Sequence, residues 1–281
     1  MHLAALWALL TAARDVELPR GMIALIQPRE ETNQPGASDV VASGLLDDEK
    51  ITSMVAVHLQ PQVERGVVST GAGAVNAAFD SFDITVTGRP GHGAYPHMTL
   101  DPITVLATIV GGLGELPARA IDPRNPTVVT VGTIAGGTAS NVIAETATCS
   151  GSIRTFSEAD RAHLHESIAR LAEGTAMARG ATAFVKFTRG GPALVNDARL
   201  VGLLDPLVGE LGLSVAAHPF RSCGSDDFAE YGEAVPSVMA FVGVGASDGV
   251  GLHHPSFLPG RDALRSAAHT LAAAYVAGTQ F

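Results

Sequence analysis

The stretch GMIALIQPREE, residues 21–31, is the part of the sequence around which the rest of the chain can be organised. Its apolar run, residues 22–26, is too short for a buried helix and has the length of a buried strand. Pro28 ends the run, because proline has no N–H to donate to a sheet ladder, and the adjacent carboxylates Glu30 and Glu31 come next. Ligands of open parallel sheets bind beyond the carboxyl ends of the strands. Two neighbouring acids repel each other, so we expect a cation or a shared proton beside them; a solvated loop is the alternative.

The same arrangement recurs twice along the chain. Residues 54–58 read as an apolar strand that ends in His58, and a strand at 238–244 is followed, after a glycine-rich turn, by His253. Carboxylate oxygen and neutral imidazole together suit zinc or manganese. Either histidine alone could be a packed or surface residue. Three buried strands that each release a metal-capable side chain at their carboxyl ends predict a metal site.

Length and composition describe a soluble globular protein with room for two domains. The chain has 281 residues, of which 46% are hydrophobic and 16% charged. The net charge of −10 and the absence of a Lys/Arg cluster argue against a nucleic-acid partner. Cys149 and Cys223 lie far apart and form no disulfide framework, which favours a reducing cytoplasm.

The amino-terminal residues 3–13 have the apolar character of a signal-peptide core but no basic residues before them. Their large side chains fall on one face of a helix, at Leu3, Leu6, Trp7 and Leu10. No apolar run approaches the ~20 residues of a membrane span. We therefore expect neither secretion nor a membrane partner.

The order of predicted elements indicates an α/β fold of two domains. Helix and strand alternate up to residue 57, with a short helix at 38–46, which is typical of an open, mostly parallel sheet. From about residue 76 the order becomes strand, helix, strand, strand, helix, strand, which is the ferredoxin-like arrangement. We therefore predict a discontinuous domain of residues 1–75 and 190–281, with an α+β domain of residues 76–189 inserted in it.

Local signals mark the elements of the inserted domain. Phe82, Ile84 and Val86 alternate with polar residues as in a strand with one wet face. Asp101 and Pro102 open a helix as cap and first residue. The predicted apolar face of that helix comprises Ile103, Leu106, Val110 and Leu113. A capping box at Ser157 and Asp160 predicts a helix as far as residue 179.

After the inserted domain, the sequence predicts a helix at 197–211, the buried strand at 238–244 and a last helix at 262–277. The apolar side of the last helix is predicted to comprise Leu264, Ala268, Leu271 and Tyr275.

Polar residues with no evident packing role are the other candidates for a functional site. His92 and His97 lie in the loop GRPGHGAYPH, whose glycines allow the backbone to approach a ligand closely. Asn141 follows a Gly-Gly turn, and Arg154 lies within a predicted strand. An arginine there can bind a carboxylate through two parallel hydrogen bonds. The alternative is an arginine on the solvent face of the sheet.

Seven motifs, in the same order along the chain, resemble those of the M20 metallopeptidases. Within that family they are most similar to the branch of aminoacylases, hippurate hydrolases and amino-acid-conjugate amidohydrolases. They extend over nearly the whole chain and read Gln27-Pro28-Arg29-Glu30-Glu31, Val55-Ala56-Val57-His58, Gly91-His92-Gly93-Ala94-Tyr95-Pro96-His97 with Asp101-Pro102, Ala139-Ser140-Asn141-Val142-Ile143, Gly151-Ser152-Ile153-Arg154, Gly224-Ser225-Asp226-Asp227-Phe228 and Leu252-His253-His254-Pro255.

This resemblance implies a catalytic domain that binds two divalent ions, zinc or manganese, in the family. Glu31, His58 and His253 would be metal ligands. Glu30 would be the general base that deprotonates the attacking water and then the acid that returns the proton to the leaving amine.

The resemblance also implies that the inserted domain is a lid that forms the interface of a homodimer. His92 would reach the active site of a partner subunit and help to hold the oxyanion. Asn141 and Arg154 would bind the amino-acid part of the substrate, and His97 would join them in substrate binding.

One motif of the branch does not occur in this sequence. It is Cys-Gly-His-Asp-x-His, whose cysteine bridges the two ions; Cys223-Gly224-Ser225-Asp226 lacks the histidine. The opening residues, Met1-His2-Leu3-Ala4-Ala5-Leu6, match the residues that come after Cys-Gly-His-Asp in the family. The simplest interpretation is a chain that starts at an internal methionine of a longer gene; the alternative is a natural paralogue that lost half of its metal site. With either, Glu31, His58 and His253 alone would form a weakened site.

The sequence thus predicts a metal-dependent amidohydrolase that cleaves the amide bond of N-acyl amino acids or related conjugates. A dipeptidase or carboxypeptidase of the same superfamily is an alternative, which His58 and the GHGAYPH loop disfavour. The alternative from another class of protein is a non-catalytic, truncated paralogue that dimerises through the lid or binds amino-acid conjugates.

Overall fold

The computed structural model describes residues 1–29, 36–245 and 251–281. The chain divides into two compact units. The first comprises Met1–Val75, Leu194–Ser222 and Asp226–Phe281; the second comprises Asn76–Ala193 and Cys223–Ser225.

In chain order the helices are α1 His2–Ala12, α2 Ala37–Ala42, α3 Leu45–Asp48, α4 Pro102–Ala120, α5 Glu158–Met177, α6 Ala198–Glu210, α7 Ala229–Ala234 and α8 Arg261–Gln280. The strands are β1 Met54–Gln60, β2 Val67–Ser69, β3 Gly73–Asn76, β4 Ala78–Thr87, β5 Gly91–His92, β6 Thr127–Gly136, β7 Val142–Ile143, β8 Thr146–Thr155, β9 Thr182–Arg189, β10 Leu194–Asn196, β11 Ser214–Val215 and β12 Ser237–Gly243.

The first unit is built on a four-stranded sheet in the order β1-β12-β2-β11. β1 is parallel to β12, and β2 is parallel to β11, whereas β12 and β2 are antiparallel. The predicted mostly parallel sheet is confirmed. Every residue of β12 is buried, because both faces of the sheet are covered: Val238 and Val242 pack with α6 and α8, and Met239 and Phe241 with α2 and α7. A strand covered on both faces reads as a continuous apolar run.

The predicted strand at residues 22–26 is wrong: these residues carry no strand in the structure. Met22, Ile23 and Ile26 are exposed, Ile26 at 85%, and Leu25 packs against a core cluster. An apolar run becomes a strand only where a neighbouring strand accepts its backbone hydrogen bonds. Composition alone did not reveal whether such a neighbour exists.

The buried faces of α8 and α1 also differ from the prediction. In α8 the buried stripe is made of small residues, among them Ala267, Thr270 and Ala274, whereas Leu264 is exposed. In α1 only Ala5 is buried. Of the four large residues of the predicted face, Leu3, Trp7 and Leu10 are exposed, and Leu6 is half-buried. Small residues allow a helix to approach its neighbours closely, so size is a poor guide to the buried face here.

The second unit is a four-stranded antiparallel sheet in the order β6-β8-β4-β9, with α4 and α5 packed on one face. This is the predicted ferredoxin-like arrangement. Phe82, Ile84 and Val86 point into the helix-covered core, as their alternation indicated. The predicted caps are confirmed, because Asp101 accepts a hydrogen bond from the Ile103 N–H (2.9 Å) and Ser157 from the Asp160 N–H (3.3 Å).

The face of α4 that is buried is offset from the predicted one. Val105, Leu106, Ile109 and Leu113 are buried, whereas Ile103 is exposed. Its length and composition would allow α4 to cross a membrane, but its apolar side lies in the core of the second unit. It is a core helix.

A buried ion pair joins α5 to β4 in the second unit. The Asp80 carboxylate accepts hydrogen bonds from Arg161 Nε (2.8 Å) and Nη2, from the Gly190 N–H (2.9 Å) and from His165 Nε2 (2.7 Å). The side chains of Asp80 and Arg161 are 1% and 2% exposed. Asp80 lies two residues before Phe82 on β4 and therefore faces the helices as well. The core between the sheet and the helices is polar at this end.

Candidate metal-binding and substrate-binding residues

Glu30 and Glu31, the predicted base and the first predicted ligand, lie outside the described residues. The residues before and after them are held by Asp227, which belongs to the motif at residues 224–228. One oxygen of Asp227, Oδ2, accepts hydrogen bonds from Gln27 Nε2 (2.6 Å) and from the Ala37 N–H (3.2 Å). Gln27 and Ala37 are thereby fixed to the same carboxylate.

Tyr231 determines the orientation of the Gln27 amide. Burial, and next the charge of Asp227, raise the pKa of Tyr231 to about 12, so its hydroxyl keeps its proton and donates to Gln27 Oε1 (2.8 Å). The amide NH₂ group must then face Asp227. Burial, more than the charge of Asp226, raises the pKa of Asp227 above its ordinary value.

His58 lies within β1 and is followed by two more strand residues, so it does not end the strand as predicted. Its imidazole is half-buried beside the Phe241 ring, with 6.0 Å between centroids. Nδ1 lies 2.8 Å from the carbonyl oxygen of Leu59. A carbonyl only accepts, so Nδ1 carries the proton and neutral His58 presents an unprotonated Nε2. Binding of a metal ion through Nε2 requires this tautomer.

His253 has a left-handed backbone conformation, with φ 65°. This region is uncommon for residues other than glycine and is enriched at functional sites. The residue is exposed and follows the end of β12 only after an intervening segment. The prediction that three strands each end at a metal-capable residue is therefore wrong for residues 22–26 and for His58. His58 and His253 both belong to the first unit.

The candidate ligands have the donor types of a metal site. In residues 1–29, 36–245 and 251–281, no group of three or more His, Cys, Asp or Glu side chains could hold an ion. Two imidazoles from His58 and His253 with a carboxylate from Glu31 would fit zinc or manganese by donor chemistry.

The second unit gathers His92, His97 and Asn141 at one end of its sheet. His92 pairs with Val142 across β5 and β7, and the Gly93 N–H donates to the Asn141 carbonyl (2.8 Å). The Tyr95 ring contacts both histidines, at 5.6 Å from the His92 ring and 6.4 Å from the His97 ring. The side chains of both histidines, Tyr95 and Asn141 are exposed.

His92 has the opposite tautomer to His58. The Ala94 N–H donates to His92 Nδ1 (3.1 Å). Nδ1 is therefore the acceptor, and neutral His92 carries its proton on Nε2. It presents a hydrogen-bond donor to any ligand that reaches the loop.

Arg154 lies at the other end of the same sheet. Arg154 lies eight positions after Thr146 along the extended strand, which is about 27 Å at the usual rise per residue. The β5–β7 ladder with His92 and Asn141 lies beyond the Thr146 end. Arg154 donates from Nη1 to the Cys223 carbonyl (2.8 Å), and its guanidinium lies over the Phe79 ring.

Three contacting residues, Asp227, Tyr231 and Phe79, were missed in the sequence. Asp227 stands within one of the seven motifs, but nothing in the motif indicated a bond to Gln27, 200 positions away. Phe79 lies three positions before Phe82 on β4. Because side chains alternate between the two faces of a sheet, this odd spacing places Phe79 on the face without helices.

Comparison with known proteins identifies the family. The model of peptidase family M20/M25/M40 matches residues 1–276. The chain is 30% identical over 265 residues to the N-acetylcysteine deacetylase of Bacillus subtilis, covering 94% of this chain and 68% of that protein. It is 29% identical over 252 residues to the N-acetyldiaminopimelate deacetylase of Bacillus licheniformis, with coverages of 90% and 67%.

A solved structure supports the same conclusion. The Bacillus subtilis YXEP protein, described as a dinuclear metal-binding peptidase from the M20 family, has a TM-score of 0.77 and 28% identity. The alignment covers 89% of this chain and 63% of that one. An α/β unit that carries the candidate ligands, with a ferredoxin-like unit inserted, is thus a known hydrolase architecture. The chain belongs to peptidase family M20/M25/M40. It spans between 58% and 62% of the length of several curated relatives.

Proposed function

We propose that the chain acts as a metal-dependent amidohydrolase that removes the acyl group from an N-acyl amino acid or a related conjugate. Relatives of this chain are deacetylases of N-acetylcysteine and N-acetyldiaminopimelate. The observation that carries the proposal is the pair of opposite histidine tautomers. His58 offers a nitrogen lone pair, as a ligand requires, and His92 offers an N–H, as an oxyanion requires.

In this proposal Glu31, His58 and His253 hold a divalent ion, zinc or manganese. When bound, the ion would polarise the scissile carbonyl and favour ionisation of the attacking water. Glu30 takes the proton of that water and passes it to the nitrogen of the leaving amino acid as the C–N bond breaks. His92 donates from Nε2 to the oxygen that becomes negative in the tetrahedral intermediate.

Substrate binding is assigned to the second unit. Asn141 and His97 lie beside His92 and would contact the substrate near the reacting group. Arg154 would bind the carboxylate of the amino-acid part through two N–H groups.

The length of β8 favours a site that is shared between two copies of the chain. Arg154 and the His92 loop lie at opposite ends of one sheet, about 27 Å of strand apart. An N-acyl amino acid is far shorter, so one copy cannot apply both groups to the same molecule. A homodimer that exchanges the His92 loops would bring them together, and we assign its interface to the second unit. We place the protein in the cytoplasm, since Cys149 and Cys223 are both free thiols.

The test is hydrolysis of N-acetylcysteine and N-acetyldiaminopimelate by protein dialysed against zinc, manganese or cobalt, with the released amine and the bound metal both measured. We expect metal-dependent release. Glu30→Gln should lower kcat by roughly a hundredfold or more, and His92→Ala by about a hundredfold to a thousandfold. Glu173→Gln and His163→Ala change exposed residues of α5 and should have no effect.

Mixing His92→Ala with Arg154→Ala tests the shared site. Each variant alone should be nearly inactive. Mixed dimers would contain one intact site, so equal amounts should regain up to about a quarter of the wild-type activity. No amine release by the wild type with any of the metals, or a rate that survives Glu30→Gln, would contradict the proposed function.

A further inference from the structure

Phe79 and Arg154 are direct cross-strand partners on β4 and β8. Their neighbours Asp80 and Ile153 are buried on the helix-covered face, so Phe79 and Arg154 share the opposite face. The guanidinium carbon of Arg154 lies 5.0 Å from the centroid of the Phe79 ring. This is within the range of a cation–π contact.

A second contact fixes one edge of the guanidinium. Nη1 of Arg154 donates to the Cys223 carbonyl at 2.8 Å. With a ring against its face and a carbonyl at one edge, the planar group has little freedom to rotate. Among the contacts between described residues, Nε and Nη2 have no protein acceptor. That edge is the one that binds a carboxylate through two parallel hydrogen bonds.

Phe79 is itself held in place by its neighbours. Its N–H donates to the Gly191 carbonyl (3.2 Å), and its carbonyl accepts from the Gly190 N–H (3.0 Å). A Cβ at Gly190 would lie 2.4 Å from the Phe79 oxygen and 2.9 Å from the ring carbon Cδ1. Only glycine allows this approach, so one edge of the Phe79 ring packs against the backbone of Gly190.

We propose that Phe79 is a positioning residue that presets the Arg154 guanidinium for the carboxylate of the amino-acid part of the substrate. The proposal rests on the proposed function, which assigns Arg154 to that carboxylate. Arginine side chains lose considerable rotamer freedom on binding, and a group ordered in advance loses less. Phe79 therefore contributes to substrate binding and not to the chemical step.

The kinetic test compares an N-acetyl amino acid with the corresponding N-acetyl amino acid amide, which lacks the carboxylate. Phe79→Leu keeps an apolar side chain and removes the aromatic face. For the acid substrate we expect KM to rise roughly threefold to tenfold, with kcat within about twofold of wild type. For the amide substrate we expect no change. Phe79→Tyr, which keeps the aromatic face, should restore the KM of the acid substrate.

Phe184→Leu is the matched control, because Phe184 is an exposed phenylalanine on the neighbouring strand β9, and among the described residues no arginine lies over its ring. It should leave both substrates unchanged. A loss in Phe79→Leu that is equal for the acid and the amide would show a merely structural role and overturn the proposal. An unchanged KM for the acid, or failure of Phe79→Tyr to restore it, would also overturn the proposal.

A spectroscopic measurement separates this inference from the proposed function. The Phe79 ring should shift the Nε proton of Arg154 upfield in the NMR spectrum of the ligand-free protein, with Arg154→Lys used for assignment. The shift should vanish in Phe79→Leu and persist in Phe79→Tyr. If the shift is absent from the wild type, the preset geometry is wrong whether or not the protein hydrolyses substrate. If the shift is present but no amide is hydrolysed, only the proposed function fails.

Discussion

Removing the buried charge of Asp80 should destabilise the second unit strongly. Asp80→Asn keeps the shape of the side chain but removes the buried counter-charge of the Arg161 guanidinium, which is 2% exposed. Arg161 then keeps only the exposed carboxylate of Glu158, 3.4 Å from Nη1. Four donors converge on this carboxylate, and the amide that replaces it would turn two of its own N–H groups toward some of them. Breaking one partner of a buried ion pair costs about 3–5 kcal/mol, so we expect a loss of that size in the free energy of unfolding.

The loss should depend on pH in a defined direction. Burial alone would raise the pKa of Asp80, but hydrogen bonds from Arg161 and Gly190, together with the Arg161 charge, outweigh burial and hold the pKa below its ordinary value. A carboxyl whose pKa is lowered on folding contributes stability above its unfolded pKa, about 3.9, and loses it as the pH falls through the folded pKa. The difference in the free energy of unfolding between wild type and Asp80→Asn should therefore be largest at pH 6 and should decrease below about pH 4.

The measurement should report on the second unit alone. Trp7, the one tryptophan of the sequence, lies in the first unit, so its fluorescence is unsuitable. Hydrogen exchange of the β4 and β8 amides in urea gives the required free energy of opening. Asp83→Asn on the same strand is the control: this exposed residue accepts one hydrogen bond, from Ser150 (2.6 Å), and should lose less than about 1 kcal/mol.

A double-mutant cycle completes the test. Asp80→Asn with Arg161→Met replaces the pair by an amide and an apolar side chain, so it should be more stable than Asp80→Asn alone. If Asp80→Asn costs less than about 1 kcal/mol, or if the two changes are additive, the reasoning about the buried pair is refuted.

Three further predictions concern other parts of the fold. Gly151→Ala should lower the free energy of unfolding by roughly 1–3 kcal/mol, because the added Cβ would lie 2.2 Å from the Thr130 carbonyl oxygen. Gly174→Ala, at an open position inside α5, should be neutral or stabilising by up to about 1 kcal/mol, and urea denaturation compares the two variants. A thiol reagent at pH 8 should modify Cys223 in the native protein and both cysteines after unfolding, because burial, and next the charge of Asp83, raise the pKa of Cys149 to about 11. Rapid reaction of two thiols per chain in the folded protein would contradict this. Tyr231→Phe should cost about 1 kcal/mol by removing the hydrogen bond to Gln27, and unchanged stability would mean that this bond contributes nothing.

The fold class was predictable because the sequence carries its periodicities clearly. The alternation around Ile84 and the caps at Asp101 and Ser157 each depend on neighbours a few positions away, and the structure confirms them. The strand predicted at residues 22–26 and the buried faces of α4 and α8 depend on what packs against them. Such faces are determined by distant parts of the chain, which a local pattern does not contain.

The candidate site was predictable as a set of residues and not as an arrangement. Local patterns and motif resemblance both selected His58, His92 and Arg154, but neither indicated which nitrogen of each histidine carries a proton. The Leu59 carbonyl and the Ala94 N–H decide that. The distance between Arg154 and the His92 loop likewise depends on strand length and pairing register, which became visible only with the sheet.

The way in which the chain is divided between its two units has a consequence for synthesis on the ribosome. Apart from residues 223–225, the second unit is one continuous stretch, Asn76–Ala193, so its sheet can close while later residues are still being translated. The first unit cannot do so, because β1 pairs with β12, from Met54 to Ser237. β1 can pair with β12 only after β12 has been synthesised. The entropic cost of closing the loop between the two strands is smaller once the residues between them have folded into a compact unit. Early folding of the inserted unit thus shortens the effective loop that must close before β1 and β12 of the first unit can pair.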